Sequence, residues 1–135
     1  MRKFCAELAL YLYLFLSKGD FEIGLFSKDI ENQFHVQFAD TLKQYLINNN
    51  IDCEYQGNDL IVDGIYKVAS YSTRRYGDIL FTAFHIAINV NLEMIKKVCT
   101  KPMVKIPKGL SEYGIETFII KKMFLNFAKN IVDKI

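Results

Sequence analysis

The chain has 135 residues, of which 51% are hydrophobic and 24% are charged, and its formal net charge is +2. This length suits one domain, and the composition excludes disordered, collagen-like and low-complexity chains. The charge is too balanced to indicate nucleic acid as the main partner.

The first predicted element is the apolar run over residues 7–16, in which Tyr11, Tyr13 and Phe15 alternate with leucines. This pattern is typical of a strand buried on both faces, and a buried helix is the alternative. The run is shorter than the roughly 20 residues that span a bilayer, so no membrane association is expected.

A helix is predicted over residues 28–48, with Ser27 as its N-cap and three asparagines as its end. His35 lies off the apolar face and is expected to be solvated. Six apolar side chains share that face: Ile30, Phe34, Phe38, Leu42, Tyr45 and Leu46.

Short strands are predicted next, over residues 51–55, 60–62, 65–68 and 79–90. Asp63-Gly64 suits a two-residue hairpin turn with positive φ, and Gly77-Asp78 suits the turn before the last of these strands. Helices are predicted from Leu92 and over residues 118–135. Successive hairpins followed by helices indicate an α+β fold, with a mixed, largely antiparallel sheet and helices packed on one face.

Three cysteines, Cys5, Cys53 and Cys99, are an odd number without a C-x-x-C pair. They do not resemble a disulfide framework or a zinc site, so a reducing, cytoplasmic setting is expected. No other metal-ligand spacing is present.

The segment from Gly57 to Ser70 carries the most specific pattern: an Asn58-Asp59-Leu60 element, a hairpin, and a single lysine, Lys67, before small residues. It resembles the central motif of the biotin–protein ligase, lipoate–protein ligase and octanoyltransferase superfamily. Two later stretches resemble that family as well: His85 to Leu92, with its N-V-N signature, and Ile106 to Ile115, which is similar to the lipoate and octanoate members.

The resemblance implies a biotin/lipoate ligase-like catalytic domain over residues 1–135. It implies acyl transfer to a lysine of a lipoyl carrier domain, by a lipoate–protein ligase-like or octanoyltransferase-like protein. Lipoate or octanoate would be the substrate, and a ligase would also need ATP and Mg²⁺. A lipoyl carrier domain or an acyl carrier protein would be the partner.

By this resemblance, Lys67 is the catalytic residue, because a fixed ammonium stabilises negative charge on an acyl carbonyl in the transition state. A solvated surface lysine is the alternative. Five further residues are the candidate ligand-binding set: Asn58, Asp59, Ser70, His85 and Asn89. Asn58 and Asp59 also suit turn chemistry, Ser70 stands where ligases usually have glycine, and His85 also suits a hydrogen-bonded position at the edge of the core.

The sequence departs from the family in two places. An arginine- and glycine-rich segment that holds the acyl group normally precedes the first long strand, and only four residues precede Cys5 here. The usual N-terminal acyl-cradling segment is therefore expected to be absent. Octanoyltransferases carry a cysteine nucleophile where this chain has Lys108, and a protonated lysine is a poor nucleophile. Cys99 is expected to be buried.

Two alternatives stay open. A degenerate or split member would act as a non-catalytic binding module or would work with a second chain that supplies the missing segment. A biotin–protein ligase-like activity is the nearest enzymatic alternative. A basic stretch also either meets an acidic carrier or forms a solvated face; its members are Lys96, Lys97, Lys101, Lys105 and Lys108.

Overall fold

The computed structural model describes residues 8–14, 21–27, 33–98 and 104–133. Its strands are β1 (Leu8–Leu14), β2 (Phe21–Ser27), β3 (Cys53–Gln56), β4 (Asp59–Val62), β5 (Tyr66–Tyr76), β6 (Ile79–Ile86) and β7 (Ile106–Pro107). Its helices are α1 (Phe34–Asn48), α2 (Leu92–Val98) and α3 (Thr117–Asp133), with a 3₁₀ turn at Leu110–Tyr113.

The strands form one seven-stranded sheet in the order β1-β2-β6-β5-β4-β3, in which each neighbouring pair is antiparallel. β7 lies outside this path and pairs in parallel with the first two residues of β5. The predicted α+β class, with its mixed and largely antiparallel sheet, is confirmed.

The core lies between the sheet and the two long helices, because both present their apolar faces to the same side of the sheet. Phe38 of α1 is fully buried and makes edge contacts with Phe84 of β6 and with Phe124 and Phe127 of α3, at centroid distances of 4.9, 5.5 and 5.2 Å. Leu42 and Leu46 continue this buried face of α1, as its spacing predicts.

Local turn chemistry also follows the sequence. Asp63 and Gly64 join β4 to β5 with φ values of 53° and 72°, as a hairpin turn with two left-handed residues requires. α1 ends at Asn48, and Asn50 takes a left-handed φ of 63°. Asparagine tolerates that conformation better than most residues, so the predicted stop is confirmed.

Two expectations about the first half of the chain are wrong. Residues 21–27 form β2, a strand that the hydrophobic pattern did not indicate. Ser27 is the last residue of this strand and not a helix cap, and α1 begins only at Phe34, after Gln33. Cys5, Cys99 and Ile30 lie outside the described residues.

Within the described ranges, no helix is both long and apolar enough to cross a membrane.

Candidate functional site

Lys67 lies at a junction in the sheet. β6 and β7 pair with the same edge of β5. The β6 pairing stops at Ala69 and Ile86, and the neighbouring β7 pairing includes Lys67 and Pro107. The amide of Ala87 donates to the Val68 carbonyl at 2.9 Å, and the amide of Lys108 donates to the Lys67 carbonyl at 3.0 Å. Backbone hydrogen bonds therefore hold Lys67 just where the neighbouring strand changes.

A β-bulge lies at the same point on the other side of β5. Leu60 pairs with Ala69 and Ile61 pairs with Lys67, so Val68 has no opposite residue on β4. Bulges re-aim the side chains beside them and are common next to functional sites. The sequence carries no visible signal for this bulge.

Four of the six candidate site residues share the sheet face that points away from the long helices. Leu60, Ala69 and Phe84 belong to the core, and side chains alternate along a strand, so their neighbours Asp59, Ser70 and His85 project from the opposite face. Lys67 projects from this face too, because Tyr66 and Val68 on either side of it face the core. We call these four residues, Asp59, Lys67, Ser70 and His85, the polar row.

The register fixes the order within the polar row. Asp59 of β4 pairs with Ser70 of β5, and Ser70 pairs with His85 of β6. The Nζ atom of Lys67 lies 3.4 Å from Oδ1 of Asp59, and the two side chains are 40% and 41% exposed. An ion pair this exposed adds little to stability, so the ammonium group stays accessible and Asp59 restrains it only weakly.

The two candidate asparagines lie at the margin of this face. Asn58 is an exposed turn residue, and its carbonyl oxygen accepts the Tyr71 amide at 3.1 Å. This backbone contact continues the β4–β5 pairing beyond Asp59 and Ser70. Asn89 is exposed in the segment that follows β6.

Lys108 lies on the other side of the sheet. Its Nζ atom is 4.3 Å from the ring centroid of Tyr66 and 4.7 Å from that of Tyr113, and Tyr66 faces the core. The pKa of the Lys108 ammonium is raised, chiefly by the Tyr113 side chain and further by Glu112. This supports the expectation that Lys108 is protonated and does not act as a nucleophile.

Gly109 lets the late loop approach the end of β6 closely. A Cβ atom at this position would come within 2.1 Å of the Ile88 carbonyl oxygen. The missing side chain lets the Leu110 amide reach the Ala87 carbonyl at 2.9 Å and the Ser111 amide reach the Ile88 carbonyl at 3.0 Å. The loop is thereby tied to the end of β6, beside Lys67.

The two histidines lie on opposite sides of the sheet. His35 is half-buried against Tyr71, with 6.3 Å between ring centroids, and burial lowers its pKa; it is not the solvated helix residue that the sequence predicts. His85 is exposed on the sheet face that carries Lys67. Tyr71 packs against Phe84 at 5.1 Å on the helix side of the sheet, away from the polar row.

Two grooves that described residues line lie on other parts of the chain, and neither includes Lys67 or Asn58. One, of about 490 Å³, runs between α1 and α3 over Tyr45, Ile119 and Met123. The other, of about 320 Å³, lies beside Lys108, Tyr66 and Glu112.

The remaining candidates carry less chemistry. Cys53 is buried, and burial raises the pKa of its thiol, so it is a poor nucleophile. Lys96 and Lys97 are exposed, whereas Lys105 donates to the Gly64 carbonyl at 2.9 Å, so the basic stretch is not one solvated face. Across the described ranges, no three His, Cys, Asp or Glu side chains cluster as a metal site would require.

Comparison with known proteins gives a likeness of structure. No protein-family model matches the chain, and no curated protein matches its sequence. A protein of unknown function from Pyrococcus horikoshi is similar in structure, with a TM-score of 0.61 and 19% identity over 84% of this chain and 59% of that one.

Two further similar structures come from lipoate biochemistry. P. falciparum LipL1, in complex with lipoate, has a TM-score of 0.59 and 20% identity over 83% of this chain and 35% of that one. A bi-partite lipoate protein ligase from Thermoplasma acidophilum, described with its E2 lipoyl domain, has a TM-score of 0.60 and 12% identity over 86% of this chain and 52% of that one.

The chain spans between about a third and three fifths of the length of these proteins. At identities of 12–20% the likeness shows the fold. The chain therefore has the α+β fold of a lipoate protein ligase domain.

Proposed function

We propose that the chain acts in acyl transfer to a lysine of a lipoyl carrier domain, as a lipoate–protein ligase-like or octanoyltransferase-like protein. The observation that carries this proposal is the position of Lys67, whose ammonium is accessible and paired with Asp59 at 3.4 Å, and whose backbone lies at the junction of β5, β6 and β7. The shared fold with a lipoate protein ligase supports it.

Lys67 stabilises the reaction by its charge. When an amine attacks an activated acyl group, negative charge gathers on the carbonyl oxygen, and a fixed cation stabilises it more in the transition state than in the ground state. A strand tied by backbone hydrogen bonds on both edges is a rigid support for that cation. Asp59 orients the ammonium until the acyl group binds.

Lipoate or octanoate is the proposed acyl group. The substrate carbonyl lies over Ser70, between Lys67 and the far end of the polar row, with Asn58 and Asn89 at the margins. Ser70 is half-buried beneath this position, where a smaller residue would let an acyl chain approach the backbone more closely. In a ligase, ATP and Mg²⁺ would activate the acyl acid; the described residues form no cluster of three His, Cys, Asp or Glu side chains for the ion.

The proposed partner is a lipoyl carrier domain, with an acyl carrier protein as the alternative acyl donor, and the proposed setting is the cytoplasm. The Thermoplasma structure is described with an E2 lipoyl domain, which favours this class of partner.

A split or non-catalytic role is the second candidate. The observation in its favour is that the Thermoplasma ligase is described as bi-partite, and this chain covers 52% of the similar chain. In this version a second chain completes the acyl pocket, and the polar row alone binds acyl groups weakly.

Ligand-dependent thermal stability tests the proposal. Lipoate, octanoate and biotin are added singly, and each also with ATP, to the wild-type chain, to Lys67→Ala and to Lys121→Ala, an exposed lysine on α3 that serves as the matched control. Ligand at about a hundred times its Kd stabilises a fold by about 2.7 kcal/mol. A shift with lipoate or octanoate that only Lys67→Ala loses supports the proposal.

The other outcomes separate the alternatives. A shift with biotin alone favours a biotin ligase-like role. No shift with any acid, together with no acylation of a lipoyl domain by octanoyl-adenylate, contradicts acyl transfer by this chain on its own and leaves the split or non-catalytic candidate.

A further inference from the structure

Acyl transfer to an amine needs a base as well as a cation. A lysine side chain ordinarily has a pKa of about 10.4, so the acceptor amine is mostly protonated near neutral pH. Forming the amide releases protons from its nitrogen. Lys67 is itself a cation and cannot accept them, so another group on the same face has to do so.

Few described groups can serve as that base. Asp59 is already engaged by Lys67, and an ordinary carboxylate, with a pKa of about 4, is a weak base. Lys108 and His35 lie on the helix side of the sheet, and Cys53 is buried. His85 is exposed on the face that carries Lys67, and imidazole is the side chain best matched to proton transfer near neutral pH.

The register gives His85 a position relative to the proposed substrate. Ser70 lies between Asp59 and His85, and directly opposed side chains on antiparallel strands have Cβ atoms about 4.5–5.5 Å apart. An acyl carbonyl over Ser70 would therefore have the Lys67–Asp59 pair on one side and the imidazole on the other. On the β2 side, Glu22 occupies the position opposite His85.

We propose that His85 is a catalytic residue, the general base that takes the first proton, from the ammonium group of the carrier lysine. The neutral amine nitrogen then forms the C–N bond, the acyl carbon loses its bond to the adenylate oxygen or to the thioester sulfur, and the second proton leaves the nitrogen for solvent. The leaving group departs as the AMP or thiolate anion, and the imidazolium then gives its proton to solvent. This inference rests on the proposed acyl-transfer function.

The test compares two acceptors. The acyl donor is octanoyl-adenylate, and the acceptors are a purified lipoyl domain and hydroxylamine, which is already neutral at pH 7. Wild type, Lys67→Ala, His85→Gln and the control His35→Gln are assayed as protein-dependent rates, from about pH 6 to about pH 9, a range that spans the ordinary histidine pKa.

His85→Gln should slow transfer to the lipoyl domain by about a hundredfold at pH 7 and leave protein-dependent hydroxamate formation nearly unchanged. The deficit should shrink towards pH 9, where more of the amine is free, and added imidazole should restore part of the rate. Lys67→Ala should slow both acceptors. A structural role for His85 would move neither the pH profile nor the ratio of the two rates.

If the wild type transfers the acyl group and His85→Gln keeps the same rate ratio and pH profile, this inference is wrong and the proposed function is unaffected. Equal loss with both acceptors in His85→Gln also overturns it. No acylation of either acceptor by the wild type removes the proposed function, and with it the role of His85.

Discussion

Lys67 and Lys108 are hydrogen-bonded neighbours whose ammonium groups lie on opposite faces of the sheet. The Lys108 amide donates to the Lys67 carbonyl at 3.0 Å, yet Lys67 pairs with Asp59 on the open face while Lys108 lies over the ring of Tyr66 on the helix side. The motif resemblance predicts both lysines at one site, but their side chains lie in separate environments. Lys108 is a tether for the late loop, and Lys67 is the accessible cation.

Chemical labelling should distinguish these two environments. The raised pKa of Lys108 leaves less free amine, and two aromatic rings flank its ammonium, so it should react more slowly with acetic anhydride than the exposed Lys121 does. Peptide mass spectrometry after a short pulse gives the extent of acetylation at each lysine. Equal acetylation rates at Lys108 and Lys121 would contradict the position of the Lys108 ammonium between the two rings.

Replacing Asp59 should separate stability from ligand binding. The Asp59–Lys67 pair is about two-fifths exposed, so Asp59→Asn should change the free energy of unfolding by less than about 1 kcal/mol. In the proposed function, the carboxylate competes with an acyl acid for the same ammonium. Its removal should therefore increase the thermal shift that octanoate produces.

Asp63→Asn is the matched control for that experiment. It removes the same charge from the neighbouring turn, at a residue with φ of 53° where asparagine is tolerated, and it has no ion pair with Lys67 among the described contacts. If both variants increase the thermal shift with octanoate equally, the cause is the change in net charge, and Asp59 does not compete with the ligand.

The aromatic cluster around Phe38 should dominate stability. Phe38 is fully buried and meets Phe84, Phe124 and Phe127 edge-on, so Phe38→Ala should cost about 3–5 kcal/mol in denaturant unfolding. Phe118→Ala, at a position that is 67% exposed, should stay within about 0.5 kcal/mol of wild type. Similar losses in both variants would show that this cluster is not the centre of the core.

The helical core and the hairpin turn could be predicted because each depends on local sequence. Phe38, Leu42 and Leu46 recur at helical spacing, and Asp63-Gly64 is a pair that adopts two left-handed φ values readily. Lys67 is the central residue of the motif, and its strand follows from the turn before it.

β2 was missed because its pattern is ambiguous. Gly24 stands at the centre of the strand, and Leu25 and Phe26 are adjacent apolar residues, so residues 21–27 neither alternate cleanly nor carry high strand propensity throughout. The structure shows how Gly24 is accommodated, since it pairs with Tyr11 on one side and Ala83 on the other. Pairing with β1 and β6 therefore stabilises a strand whose local propensity is weak.

The order of the polar row was also beyond sequence reasoning. Asp59, Ser70 and His85 come together only through the register of three strands, and the bulge at Val68 sets how Lys67 is aimed relative to them. A shift of one residue in that register would send these side chains to the core. Hydrogen bonds between distant segments, such as Tyr71 to Asn58 and Ala87 to Val68, fix the register.

Gly109 offers a sharp test of the late loop. Gly109→Ala would press a methyl group against the Ile88 backbone, and the loop would have to move away from the end of β6. We expect faster amide hydrogen exchange at Leu110 and Ser111, whose amides donate to Ala87 and Ile88, and a lower melting temperature. Lys121→Ala on α3 is the control, and unchanged protection of both amides in Gly109→Ala would contradict the close approach.

The burial of His35 has a consequence for stability against pH. Burial lowers its pKa in the folded chain, so between that value and the ordinary value of about 6.5 the unfolded chain binds more protons than the native chain. Protonation of His35 therefore leaves the free energy of unfolding unchanged above about pH 6.5 and lowers it as the pH drops through that region. His35→Gln should flatten this fall, measured by denaturant unfolding at about pH 7.5 and about pH 5.5. An equally steep fall in the variant would assign the acid sensitivity to other groups.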